Sequence, residues 1–215
     1  MKSQRKRDKI KTLLYHSLTE KSEIIIRYEL TQNKKEKPDE SALGFGKYYT
    51  DHMFIVDHTE GQGWHDARIV PYQPLALDPA AMVLHYAMES FEGMKAYRLP
   101  DGSVQLFRPD RNAERMQNTN HRMCLPALST EDFIQAVKAL VKTDEDWVPH
   151  QEGTSLYIRP FVIATEPHLG VRPSATHQFI IICSPVGAYY STGINPVKIF
   201  VPCMPGRYRL YQVRR

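Results

Sequence analysis

The chain has 215 residues, of which 42% are hydrophobic and 24% charged, with a formal net charge of +4. This is a globular balance with enough apolar material for a core, which excludes a disordered or fibrous polypeptide; the length suits one large domain, or one domain with part of another. Three widely separated cysteines, Cys124, Cys183 and Cys203, exclude a disulfide framework and a paired-thiolate zinc site, and fit a reducing cytoplasm.

The basic excess sits at the ends. Lys2, Arg5, Lys6, Arg7, Lys9 and Lys11 crowd the first positions, and Arg207, Arg209, Arg214 and Arg215 the last. Residues 1–22 read as a basic extension, with Ile10, Leu13, Leu14 and Leu18 at rough helical spacing. A frayed or mis-started N-terminus and a nucleic-acid or membrane arm both fit it. Between the ends the charge is near balance, so the body is not patterned for nucleic acid. No apolar run is long enough to span a bilayer, and the N-terminus lacks the apolar core of a secretory signal. A cytoplasmic protein without membrane or nucleic-acid partners is expected.

Folded sequence is expected to begin with a β-branched strand over residues 23–30, followed by the polar loop 34–41. Residues 46–56 alternate as a second strand. His52 within it has no second His or Cys at a metal-ligand spacing, which makes it structural. Residues 61–64 form a turn. Asp78-Pro79 then offers an N-cap with proline at the first helical position, predicting a helix towards Ser90.

The stretch LHYAMESFEGMKAYRLPDGSVQLFRPDR (84–111) reads as a helix end, a tight loop, a β-hairpin and a helix start. Leu99-Pro100-Asp101-Gly102 supplies the hairpin turn between strands at 94–97 and 104–107. Arg108 falls at the strand end before Pro109. A guanidinium beside a helix N-terminus suits a phosphate, because a fixed charge joins free backbone N–H groups and the dipole. A solvated or structural arginine fits the same spacing. A helix follows over 112–122. A second is capped by Ser129, with Asp132 three residues on, and carries a buried stripe of Phe133, Val137, Leu140 and Val141. Strands are predicted at 154–165 and 177–184, and residues 185–190 read as a linker leaving the sheet. The class is α+β, mostly antiparallel strands with helices on one face.

Tyr157 and Arg159 lie two apart on a strand, so both side chains face one way. Together they can grip a carboxylate, the arginine through parallel hydrogen bonds; pairing of Arg159 with a core carboxylate is the alternative.

The motifs FGKYYTDHM, PYQPLALDPAAMVLHYAMESFEGMKAY, LFRPDRNAERM, DWVP, EGTSLYIRPFVIATEP and SPVGAYY occur in that order. Across about residues 24–201 the chain resembles the fold-type IV branched-chain amino acid aminotransferases, which depend on pyridoxal 5'-phosphate. The resemblance implies their small N-terminal domain over residues 23–185, an interdomain loop over 186–201 and a non-family tail over 202–215. It implies that Arg108 binds the cofactor phosphate and that Tyr86 and Phe91 line the side-chain pocket. It also implies that Tyr157 lies at that pocket, that Arg159 orders it and binds acidic substrates, and that Tyr189 closes over the substrate. Lys95 falls where some relatives have arginine.

The implied reaction passes the amino group of leucine, isoleucine or valine through the cofactor to 2-oxoglutarate, giving glutamate, in a homodimeric enzyme. The family's Schiff-base lysine lies in a GGNY-type stretch of the C-terminal domain. Here the sequence turns after Val201 into PCMPGRYRLYQVRR, and Lys198 is the last lysine. By the resemblance, these 215 residues hold no counterpart of that lysine and are expected not to catalyse transamination; a non-catalytic remnant or dimerisation module is the alternative.

Overall fold

The computed structural model describes residues 24–187 together with Pro196 and Lys198. Its centre is one eight-stranded sheet. The strands are β1 (Arg27–Tyr28), β2 (His52–Thr59), β3 (Gly63–Pro71), β4 (Glu89–Phe91), β5 (Met94–Arg98), β6 (Val104–Leu106), β7 (Ser155–Ala164) and β8 (Thr176–Val186). Their order is β1-β3-β2-β8-β7-β5-β6, with β4 also paired to β7. Only the β1–β3 pairing is parallel. The sheet ends in short strands on both sides.

Three α-helices accompany it: α1 (Met82–Tyr86), α2 (Pro109–Arg122) and α3 (Thr130–Thr143). Side chains alternate between the two faces of each strand. On one face Phe54, Val56, Ile69, Leu156, Ile158, Val162, Phe179 and Ile181 form the main core with Ala113 and Met116 of α2 and Phe133, Val137, Leu140 and Val141 of α3. Phe179 is its hub, its ring meeting those of Phe54, Trp64 and Phe133. On the other face Met53, Ile55, Val70, Ile163 and Ile180 pack beneath Tyr72, Leu75, Leu77 and Val83. That cover reaches only part of the second face.

The capped helices and the hairpin form as their local chemistry dictates. Pro109 is the first residue of α2, and the Ser129 side chain accepts from the Asp132 N–H at the head of α3. The helix predicted from Pro79 to Ser90 shrinks to the five residues of α1. Asp78 does turn the chain, accepting from the Ala80 N–H at 2.8 Å, but Glu89–Phe91 leave to pair with Ile163–Phe161 of β7. The first predicted strand keeps only Arg27–Tyr28, whose sole pairing is with Arg68–Ile69 of β3. The second starts at His52 rather than Gly46. Pro185 and Val186, read as linker, complete β8 opposite Leu156 and Ser155.

His52 is structural, as expected. Its Nδ1 lies 2.6 Å from Asp144 Oδ1, and its Nε2 accepts from the Thr31 N–H at 3.0 Å. The acceptor role of Nε2 fixes the proton on Nδ1, so the neutral ring satisfies both neighbours.

His177 is different. It is 3% exposed, neither ring nitrogen has a hydrogen-bond partner among the described residues, and its ring stands 5.6 Å from that of His58 across β2 and β8. Burial, reinforced by the charge His58 would carry and only partly opposed by Glu166, lowers its pKa to about 4. The unfolded value is about 6.5. Between those two values the unfolded chain holds a proton that the folded chain does not, so stability falls as the pH drops from about 6.5 towards 4. Urea unfolding across that window should show the decline, and His177→Phe should flatten it.

Candidate functional site

The uncovered part of the second sheet face carries three of the predicted residues, Phe91, Tyr157 and Arg159. In β7, Leu156 and Ile158 turn to the core, so Tyr157 and Arg159 turn away from it. The β5–β7 register sets Lys95 opposite Tyr157, and the β4–β7 register sets Phe91 opposite Phe161. Phe91, Lys95, Tyr157 and Arg159 therefore share one face.

Their contacts are specific. Arg159 donates to the Tyr157 hydroxyl from Nε at 3.2 Å and from Nη2 at 2.7 Å. The guanidinium carbon sits 4.5 Å from the centre of the Phe91 ring, and Phe45 meets the Tyr157 ring edge-on at 5.0 Å. Among the described residues Arg159 has no carboxylate partner, whereas Arg27, Arg68, Arg111, Arg115 and Arg172 all have one. Phe91 is 61% exposed, so one ring face remains open beside the cation.

Arg108 is brought to the β6 end of the hairpin and is the N-cap of α2. Its backbone is left-handed, with φ 47° and ψ 54°. For a residue with a Cβ that conformation costs about 1–3 kcal/mol, and such strain collects at functional sites. It turns the chain sharply out of β6 into the proline-started helix. The guanidinium is exposed and makes no ion pair among the described residues. Tyr86, at the end of α1, is partly exposed, and its hydroxyl donates to the Leu169 carbonyl. That bond ties the Tyr86 ring to the 166–172 segment. Tyr189 lies outside the described residues.

The sequence reading missed the parts that hold this face together. Gly93 is one. A Cβ there would stand 3.1 Å from Tyr157 Cζ and closer still to the hydroxyl. Glycine is needed for space, not for an unusual φ. Glu92 is another. Its side chain is 4% exposed and accepts from Arg115 Nε at 2.5 Å, Arg115 Nη2 at 2.6 Å, Asn112 Nδ2 at 2.9 Å and the Gly93 N–H at 3.3 Å. Burial pushes this carboxyl up, but the bonds from Arg115 and Asn112, the Arg115 charge and the Gly93 N–H outweigh it and hold it below the usual carboxylate range. The spacing of Asn112 and Arg115 after LFRP was the available signal.

Chemically, this is an aromatic face with cations that have no carboxylate partner among the described residues. It suits a ligand with an apolar body and anionic ends, a phosphate or a carboxylate. Among the described residues no cluster of His, Cys, Asp or Glu could hold a metal ion.

No protein-family model matches the chain. Solved structures match the fold. The branched-chain aminotransferase of Thermoproteus uzoniensis with norvaline aligns at a TM-score of 0.52 and 21% identity, covering 65% of this chain and 43% of that one. A second branched-chain amino acid aminotransferase, solved with pyridoxamine 5'-phosphate, gives 0.51 and 21%, covering 73% and 50%. The described domain thus has the fold of the N-terminal domain of the fold-type IV aminotransferases. In sequence the chain is similar to branched-chain-amino-acid aminotransferases in particular. It is 56% identical over 176 residues to branched-chain-amino-acid aminotransferase 2 of Bacillus subtilis, covering 82% of this chain and 48% of that one. It is 57% identical over 159 residues to a probable branched-chain-amino-acid aminotransferase of Streptomyces coelicolor, covering 74% and 44%. The chain spans about half the length of the curated relatives it matches.

The Gly93–Tyr157 contact yields a prediction. Gly93→Ala should cost about 1–3 kcal/mol, the usual range for overpacking. In a Tyr157→Phe background the cost should shrink, because the nearest clashing atom is gone. Denaturant midpoints of both single variants and the double variant measure this; equal costs in the two backgrounds would show that Tyr157 does not set the limit.

Proposed function

We propose that this chain supplies the N-terminal part of a branched-chain-amino-acid aminotransferase that uses pyridoxal 5'-phosphate. Its substrates are leucine, isoleucine or valine as amino donors and 2-oxoglutarate as acceptor. The observation that carries the reading is Arg159: a cation bound to a tyrosine hydroxyl, laid on an open phenyl ring and without a carboxylate partner among the described residues. The similarity of the chain to branched-chain-amino-acid aminotransferases supports it.

The residues present fit one end of the cofactor. Arg108, without an ion pair among the described residues and set where the chain turns into α2, has the donor fork that a phosphate dianion takes, at the positive end of the helix. When bound, pyridoxal phosphate supplies the electron sink for amino transfer. The chain's own residues position the reactants. Tyr86, Phe91 and Tyr157 offer an apolar wall for a branched aliphatic side chain, and Arg159 with the Tyr157 hydroxyl orders that wall and meets the carboxylate of an acidic substrate. Tyr189 closes over the substrate, and Lys95 lends positive charge to the same face. The reading also makes the enzyme a cytoplasmic homodimer acting on small molecules, without nucleic-acid or membrane partners. Among the described residues no helix is long and apolar enough to cross a membrane. The division into residues 23–185, the interdomain loop 186–201 and the tail 202–215 belongs to the same reading.

Arg108→Ala should weaken retention of pyridoxal phosphate by the equivalent of about 1.5–3 kcal/mol, the worth of a hydrogen bond to a charged group. Equilibrium dialysis of both forms checks this, and unchanged affinity would remove Arg108 from the phosphate site.

The polypeptide of these 215 residues, assayed alone, should not transaminate leucine with 2-oxoglutarate. Amino transfer needs an amine that holds the cofactor and carries the proton, and Lys95 does not occupy the family's position for it. Borohydride reduction with pyridoxal phosphate followed by mass spectrometry should show scattered lysine labelling. One specifically labelled lysine with turnover would refute the expectation.

A further inference from the structure

We propose that Glu92 is a positioning residue, whose buried carboxylate locks the Phe91–Gly93 strip to α2 so that the aromatic wall and the Arg108 end hold one geometry. The lock itself stands on geometry; what it positions rests on the function proposed above.

The outer edge of β7 changes partner along its length. It pairs with β5 through Leu156–Ile158 and with β4 through Phe161–Ile163. Glu92 and Gly93 span the gap, and the Glu92 N–H donates to the Pro160 carbonyl at 2.8 Å. Alternation does the rest. Phe91 reaches the Arg159 guanidinium, Gly93 leaves room for Tyr157, and Glu92 between them reaches Asn112 and Arg115 of α2. Asn112 and Arg115, three residues apart, share the face of α2 that grips Glu92, and Arg108 is the N-cap from which that helix departs.

Burying a carboxylate carries a large desolvation cost, and an apolar side chain of similar size could fill the space without it. What an apolar residue lacks is direction. The carboxylate, held from both sides by the Arg115 fork and by Asn112, permits one position of the strip relative to the helix. A second tie, the Ser90 hydroxyl to Asn120 Oδ1, joins β4 to α2 one turn further on, so removal of the Glu92 lock leaves the elements attached.

The experiment compares the 215-residue chain with Glu92→Gln, Arg115→Met and the double variant by amide hydrogen exchange. Arg115 is 66% exposed, so Arg115→Met tests the lock should Glu92→Gln lower the yield of folded protein. Exchange at Glu92, Gly93 and Asn112 should quicken about tenfold, as expected when a charge-assisted hydrogen bond is lost. The β2 and β3 amides should keep wild-type rates, and the double variant should match either single one. Unchanged exchange at Gly93, or equal loss of protection through β2 and β3, overturns the proposal. Ligand binding adds a readout that general loosening would not move. The variants should weaken pyridoxal 5'-phosphate binding while leaving pyridoxal, which lacks the phosphate, unchanged; equal weakening of both overturns the positioning role. A wild-type chain that binds the two alike refutes Arg108 as the phosphate ligand and with it the positioning of that end, while the exchange result still decides the lock.

Discussion

The pairing of β7 with β8 runs from Ser155 opposite Val186 to Ala164 opposite His177, and every position of the candidate site is counted from it. Because strand side chains repeat every two residues, this register sends Leu156, Ile158 and Val162 into the core and Tyr157 and Arg159 to the opposite face. A slip of one residue would drive a guanidinium towards Phe179 and Ile181 and leave Ile158 in water. The apolar row of β8 holds the register, so the same burial that stabilises the sheet aims the functional side chains.

The proline of the YIRP motif shows how closely this is arranged. A proline inside a central strand ordinarily breaks the ladder, since it has no N–H to donate. Pro160 sits where β7 passes from one neighbour to the other. Its carbonyl points into that gap and accepts from Glu92, so the missing N–H falls on the side where no ladder continues. The break lets Glu92 and Gly93 leave regular pairing, between Phe91 of β4 and Met94 of β5.

What could be read from the chain were features with local causes. Pro109 and Ser129 mark helix starts by their own backbone and side-chain chemistry, and the α3 stripe follows helical periodicity. The Tyr157–Arg159 pair needed only the period of a strand. What could not be read depended on distant partners. Residues 79–90 carry a helix start, yet their last part is claimed by β7, some seventy positions away. The 23–30 segment has strand composition, but only β3 is there to pair with it. Nothing local announces the partners of Glu92, which lie twenty and more positions on, or that of Gly93, which lies more than sixty positions on at Tyr157. The resemblance singles out residues that the strands bring to one face, Phe91, Tyr157 and Arg159, without revealing what holds them there.

The sheet's ends bear on how this domain meets other chains. A long, flat outer strand offers a row of free N–H and C=O groups on which a foreign strand can grow, the usual start of edge-to-edge aggregation. Here the described sheet finishes in β1, two residues long, and β6, three residues long, the latter cut off by the turn at Arg108 into α2. At three residues, β6 is too short to template an added strand. The left-handed arginine thus also blunts an edge: by stopping β6 short, it keeps a sheet with an exposed aromatic face from recruiting further strands beside it.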